Sequence, residues 1–187
     1  LFQLHRYAEA RQAYEKIMTT YPPEERQEDI FWLAESLYQL KDYENTLPYY
    51  RQFLQAPIPK EYADNALYGL AWSLTNLGRT AEAIQQFQQL VAQYPASELL
   101  PASLDLLGTL LLQEKRTAEG IQVLEDGRSK YPASEYRDDM TFRLGQAYFD
   151  QGHYDRALTL FQALSARPAK ASYLFSAAFM SGECLYA

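Results

Sequence analysis

The chain has 187 residues, 48% of them hydrophobic, which is enough to bury one sizeable core or to build one elongated array. A formal net charge of -7 argues against a nucleic-acid partner, whose phosphates want clustered Lys and Arg. No apolar run is long enough for direct membrane insertion, and the single Cys excludes an internal disulfide framework and a Cys-based zinc site.

In chain order, Leu1–Leu4 reads as the tail of a helix and Tyr7–Thr20 as its partner. Glu24–Leu40 puts Ile30, Leu33, Leu37 and Leu40 at three- and four-residue spacings, one apolar stripe on a helix. Thr80–Gln93 does the same with Ala83, Ile84, Phe87, Leu90 and Val91. Pro22, Pro57, Pro95, Pro132 and Pro168 each follow the second helix of a hairpin, where a proline cannot continue the helix. Ser97 and Ser134 stand where an N-cap belongs, with Glu98 and Glu135 in the first turn. Pro101 falls in a first turn, where a missing N–H costs little. Glu24-Glu25 and Asp138-Asp139 are acidic pairs at helix starts, and Tyr21, Tyr94 and Tyr131, each preceding a Pro, read as packing residues. Gly120 and Gly127 lie inside a helix, where each costs about 0.5–1 kcal/mol relative to Ala. They mark either tight helix packing or a soft spot, with faster amide exchange over Thr117–Lys130 than over Thr80–Gln93. Tyr173–Ala187 reads as the first helix of a further hairpin, and an array cut mid-hairpin is expected to be a piece of a longer polypeptide.

Three registers recur along the chain. YPASE occurs at Tyr94–Glu98 and Tyr131–Glu135, 37 residues apart. Turns begin at His5, Lys41, Gly78, Lys115 and Gly152, with a first step of 36 residues and three steps of 37. Upstream of each turn stand Leu33-Ala34, Leu70-Ala71, Leu107-Gly108, Leu144-Gly145 and Ser181-Gly182, generally a large apolar residue followed by a small one that lets a neighbouring helix approach. Downstream stand Tyr14, Tyr50, Phe87, Leu124 and Phe161.

This pattern resembles the tetratricopeptide repeat. One hairpin carries it as Leu70, Ala71, Leu74, Gly78, Ala83, Phe87, Leu90 and Pro95, and another as Leu144, Gly145, Tyr148, Gly152, Ala157, Phe161, Leu164 and Pro168. The resemblance implies an all-α fold, a right-handed α-solenoid of about five antiparallel helix hairpins, truncated at both ends. The expected organisation is one array over 1–187, with units at 1–22, 23–59, 60–96, 97–133 and 134–169 and the start of a sixth at 170–187. The family's usual period is shorter than 37. The longer variant resembles tetratricopeptide proteins of the Gram-negative envelope, of the Tol-Pal accessory and outer-membrane-protein assembly lipoprotein types. That implies a periplasmic or outer-membrane-associated setting.

In the family the first helix of each unit lines a concave face that holds a protein or peptide. Carried over residue by residue, the groove rows are Phe31, Tyr68, Asp105, Phe142 and Phe179; then Glu35, Trp72, Thr109, Gln146 and Glu183; then Phe2, Tyr38, Thr75, Leu112, Phe149 and Tyr186. The residues implied for partner binding are Phe31, Glu35, Tyr38, Tyr68, Trp72, Asp105, Phe142, Gln146, Phe149 and Phe179. Aromatic side chains offer large contact area at low entropy cost, but they serve equally well in packing between helices. Trp72 stands out in an otherwise polar row, and Asp105 is expected to face solvent. Glu28, Glu35, Asp105, Asp139, Asp150 and Glu183 are expected near the groove, with Arg143 the nearest cation. No basic set matches the clamp that some relatives use on a carboxylate, so an apolar or basic peptide is the expected ligand.

Catalysis, a cofactor and a metal are not expected. His5 and His153 lie in separate turns without ligands at metal spacing, and Cys184 reads as a small buried apolar side chain. A scaffold is the leading expectation. A spacer or regulatory array of a longer enzyme or membrane protein competes with it. So does a homo-oligomer built through Tyr173, Leu174, Phe175 and Phe179 of the unpaired last helix.

Overall fold

The structure, a computed structural model, describes residues 2–22, 26–55, 61–166 and 171–186. Leu1, Glu24, Glu25, Pro57, Pro168 and Ala187 of the sequence expectations lie outside them. The described residues form ten α-helices and no strand, in two compact units, Leu1–Leu99 and Leu100–Ala187. The fold is all-α and of the helical-hairpin solenoid class.

The first unit holds α1 (Tyr7–Thr20), α2 (Gln27–Gln39), α3 (Tyr43–Gln55), α4 (Ala63–Asn76) and α5 (Thr80–Gln93), preceded by a short 3-10 turn at Phe2–Leu4. Each helix packs on the next. Its core is built by Leu33, Leu37, Leu67, Leu70, Leu74 and Ile84 around the fully buried rings of Tyr50 and Phe87. Pro48 sits inside α3 with its ring exposed, so its missing N–H interrupts the helix ladder on the solvent side.

The second unit holds α6 (Leu100–Gln113), α7 (Thr117–Lys130), α8 (Arg137–Asp150), α9 (Tyr154–Ser165) and α10 (Ala171–Tyr186). Leu124, Met140, Leu144, Phe161 and Leu164 anchor its core, which Ala177 and Cys184 extend onto α10.

Each hairpin turns through one left-handed residue. His5, Lys41, Gly78, Lys115 and Gly152 all have φ between +55° and +76°. After four of them the next N–H reaches back five residues: Asp42 to Leu37, Arg79 to Leu74, Arg116 to Leu111 and His153 to Tyr148, each at 2.9 Å. This is the Schellman closure, which satisfies carbonyls that the helix end leaves open. Two positions use Gly. The others accept a strained L-residue whose side chain is exposed.

Ser97 and Ser134 do not cap the helices. Their hydroxyls accept from the N–H groups of Leu99 (3.2 Å) and Tyr136 (3.1 Å), two residues on, closing a tight turn before α6 and α8 begin. The chain first turns at Tyr94–Ser97 and at Tyr131–Ser134, which pushes the helix starts downstream. Ser97 also donates to Asp64, tying that turn to α4.

The small residues are close-approach points. A Cβ on Gly69 would strike the Tyr50 hydroxyl, and one on Gly108 would strike the Leu124 side chain. At Gly145 the nearest atom would be a Phe161 ring carbon at 2.6 Å. A Cβ on Gly120 would come within 2.9 Å of the Leu112 side chain and one on Gly127 within 2.7 Å of the Met140 sulfur, so both glycines of α7 sit at close packing contacts.

Candidate interaction faces

In the first unit the expected groove residues divide by depth. Phe31 is only 2% exposed; it stacks on Tyr62 (4.9 Å, 12°) and packs on Trp32 and Phe53, so it belongs to the core. Glu35, Tyr38, Tyr68 and Trp72 are half-buried and remain at the surface. Tyr68 and Trp72, one helical turn apart on α4, lie parallel with ring centres 6.3 Å apart, and Tyr68 sets its edge against Phe87. Tyr38 packs edge-on against Tyr43 at 6.2 Å.

Glu35 accepts a 2.5 Å hydrogen bond from the Tyr50 hydroxyl, which reaches it through the space left open at Gly69. Burial raises the Glu35 pKa, and the Tyr50 hydrogen bond only partly opposes it. Burial also holds the Tyr50 phenol well above its ordinary range, a shift that the nearby Glu35 charge reinforces. No Lys, Arg or His among the described residues pairs with Glu35.

The second unit handles its carboxylate differently. Asp105 is not solvent-facing: it is 5% exposed. Arg143 donates to it from α8, through Nε at 2.9 Å and Nη2 at 3.4 Å. The guanidinium supplies the counter-charge that makes burial tolerable. Sequence reasoning placed both residues near the groove without pairing them. The available signal was opposite charges one position out of register on successive first helices.

Beside Arg143 lies a cavity of about 520 Å³. Its walls are Thr109, Leu112, Gln113 and Thr117 with Arg143, Gln146, Ala147, Phe149, Asp150, Gln151 and Met180. It therefore gathers Gln146 and Phe149 from the expected set. Phe142 does not line it and instead packs half-buried between Phe161 (5.7 Å) and Tyr173 (5.1 Å). Phe179 does not line it either and stands 64% exposed on α10. Gln113, Thr117, Ala147, Gln151 and Met180, which the carried-over rows missed, complete the walls. A second cavity of about 490 Å³ involves Glu125, Arg128, Tyr148 and Arg156. There Tyr148 donates to Glu125 at 2.6 Å beneath the Arg156 guanidinium.

Among the described residues no group of three or more His, Cys, Asp or Glu could hold a metal, and no helix is long and apolar enough to cross a membrane. Cys184 is buried in the α10 interface, which pushes its thiol pKa up and away from thiolate chemistry.

Two family profiles, both described as tetratricopeptide repeat, match residues 30–56 and 65–97, and residues 111–177. Together they take in more than half of the chain. No curated protein matches it. Solved structures with the same fold include YrrB, described as a TPR protein with an unusual peptide-binding site, at 19% identity and TM-score 0.71 over 94% of this chain and 84% of that one. A MamA fragment from Desulfovibrio magneticus RS-1 aligns at 18% identity and TM-score 0.66, over 86% of this chain and 94% of that one. A putative kinesin light chain from Podospora anserina with TPR-like repeats aligns at 19% identity and TM-score 0.67, over 88% of each chain. These likenesses establish the fold, and with the profiles and the paired helices they show that this chain carries tetratricopeptide repeats.

Proposed function

We propose that the chain is a protein-interaction scaffold that holds a peptide or protein segment on its first-helix faces, and that it binds rather than catalyses. The observation that carries this reading is the cavity in the second unit. First-helix side chains Thr109, Leu112, Gln146 and Phe149 meet there beside a fixed guanidinium, mixing apolar wall with a few oriented polar groups. The half-buried Tyr68 and Trp72 give the first unit a matching aromatic surface. The test is a pull-down comparing the parent with a Trp72→Ala, Phe149→Ala variant whose helicity is verified by circular dichroism. A partner retained by the parent and lost by the variant supports the reading. A partner retained equally by both puts binding elsewhere. The envelope-type repeat spacing extends the proposal to a periplasmic or outer-membrane-associated setting, which cell fractionation checks.

A second reading is self-association through α10. Phe175 is 87% exposed there, beside the exposed Phe179, Leu185 and Tyr186. A Cβ on Gly182 would meet nothing within 4 Å, whereas Leu124 and Phe161 fill the space at the same register beside Gly108 and Gly145. The occupant of this reading is a second copy. Sedimentation of the parent against Phe175→Ser, Phe179→Ser decides it: a dimer dissociated by the pair supports it, and a monomeric parent removes it.

A further inference from the structure

The first unit presents a half-buried carboxylate, Glu35, that no cation among the described residues pairs with. Glu35 on α2 shares a row with Trp72 on α4, a helix that packs directly on α2. Tyr38 lies one turn along from Glu35 and Tyr68 one turn back from Trp72. Tyr38 lies within electrostatic range of both Glu35 and Tyr68. Burial chiefly raises the Tyr38 pKa, and the charges of Tyr68, Glu35 and Tyr43 raise it further. The one hydrogen bond Glu35 receives comes from a neutral phenol, Tyr50, which cannot neutralise it. At the related face of the second unit, Arg143 answers Asp105 from within the chain. Among the described residues of the first unit no Lys, Arg or His pairs with Glu35, and the aromatic Tyr38 and Tyr68 lie near it instead.

We infer that Glu35, Tyr38, Tyr68 and Trp72 form a subsite for a cationic side chain, guanidinium or alkylammonium, of the bound segment. The inference rests on the scaffold reading and names its ligand chemistry. The carboxylate takes the charge-assisted hydrogen bonds of the cation. The parallel Trp72 and Tyr68 rings supply negative π faces for the same group. A neutral or acidic side chain would leave Glu35 uncompensated, so charge complementarity selects a basic residue. Tyr50 holds the carboxylate in place from the core side, and Gly69 is required because any side chain there would displace the Tyr50 hydroxyl.

The test is a titration of the 15N-labelled full chain with N-acetyl-arginine amide, read on the indole N–H signals of its two tryptophans. Trp32, packed against Phe2, Phe31 and Tyr62, serves as the reference. A saturable shift of Trp72 but not of Trp32 is expected. The neutral isostere N-acetyl-citrulline amide should produce none. Glu35→Gln, which keeps the shape and can still accept from Tyr50, should raise the dissociation constant about tenfold or more, the scale of a lost charge-assisted bond. An equal response to citrulline, an unchanged constant in Glu35→Gln, or no saturable shift at Trp72 overturns the inference. The pull-down separates this failure from failure of the scaffold reading. A partner lost on Trp72→Ala alone in the same pull-down, while the arginine probe fails, means that the face binds by apolar contact alone.

Discussion

The two units draw on one helical pattern and reach opposite electrostatic solutions on their first-helix faces. In the second, Asp105 is buried and answered by Arg143, and a cavity opens beside the pair. In the first, Glu35 is half-buried and answered by no cation among the described residues, and Tyr38 and Tyr68 lie near it. A repeat thus conserves what the backbone needs, a small residue facing a large one and a left-handed turn, while leaving the face free to differ. Function in such arrays is carried by those faces, because the fold is common to many partners.

The comparison breaks most visibly at Arg143. Arg143→Ala removes the counter-charge of a buried carboxylate and is expected to destabilise the chain by about 2–3 kcal/mol, below the figure for a fully buried pair because Arg143 itself is 33% exposed. Urea unfolding of Arg143→Ala and of Arg143→Ala with Asp105→Asn measures it, and the second change should recover most of the loss. If Arg143→Ala is neutral, the two units do not differ in the way described.

The next effect tests the packing registers within the second unit. Gly145→Ala forces a methyl group toward the fully buried Phe161 ring and should cost about 1–3 kcal/mol. Gly182→Ala meets open space in the same register, so it should be neutral or stabilise by up to about 1 kcal/mol through helix propensity. The thermal unfolding temperature should therefore be lowered by Gly145→Ala and not by Gly182→Ala.

Glu35 sharpens the contrast through pH. Its folded-state pKa is raised by burial, so the native state holds the proton more tightly than the unfolded chain. The stability it contributes is fully present below the ordinary glutamate value, about 4.3. It is lost as pH rises through the raised folded value. Across that window the parent should lose stability relative to Glu35→Gln, as read by urea midpoints over a pH series. A difference that does not vary with pH would mean that Glu35 is not held in the buried, unpaired state described.

The smallest effect lies at the turns. Lys115→Gly relieves a φ of +59° at an exposed position and should stabilise by about 0.5–1 kcal/mol, whereas Gly152→Lys, at +76°, should cost a comparable amount.

Much of the architecture was legible in the amino-acid order. Apolar stripes at helical spacing marked the paired helices, and the turn series picked out His5, Lys41, Gly78, Lys115 and Gly152, all of which adopt the left-handed conformation. Side-chain depth was not legible. Helical periodicity tells which face a residue shares but not how closely the next helix covers it, so Phe31 and Asp105 stood in the same row as Tyr68 and Phe142. Covering by Tyr62 and Phe53 makes Phe31 core, and covering with a matched charge makes Asp105 core. The serines before α6 and α8 read as helix caps because cap and turn share a residue preference; their bonds, two residues on, belong to a turn. The sequence by itself determined the helices, their turns and the small-against-large pairing, since these depend on local periodicity and steric size. Only the tertiary structure decided which carboxylate is paired, which aromatic is surface and where a cavity opens, since these depend on distances between residues far apart in the chain.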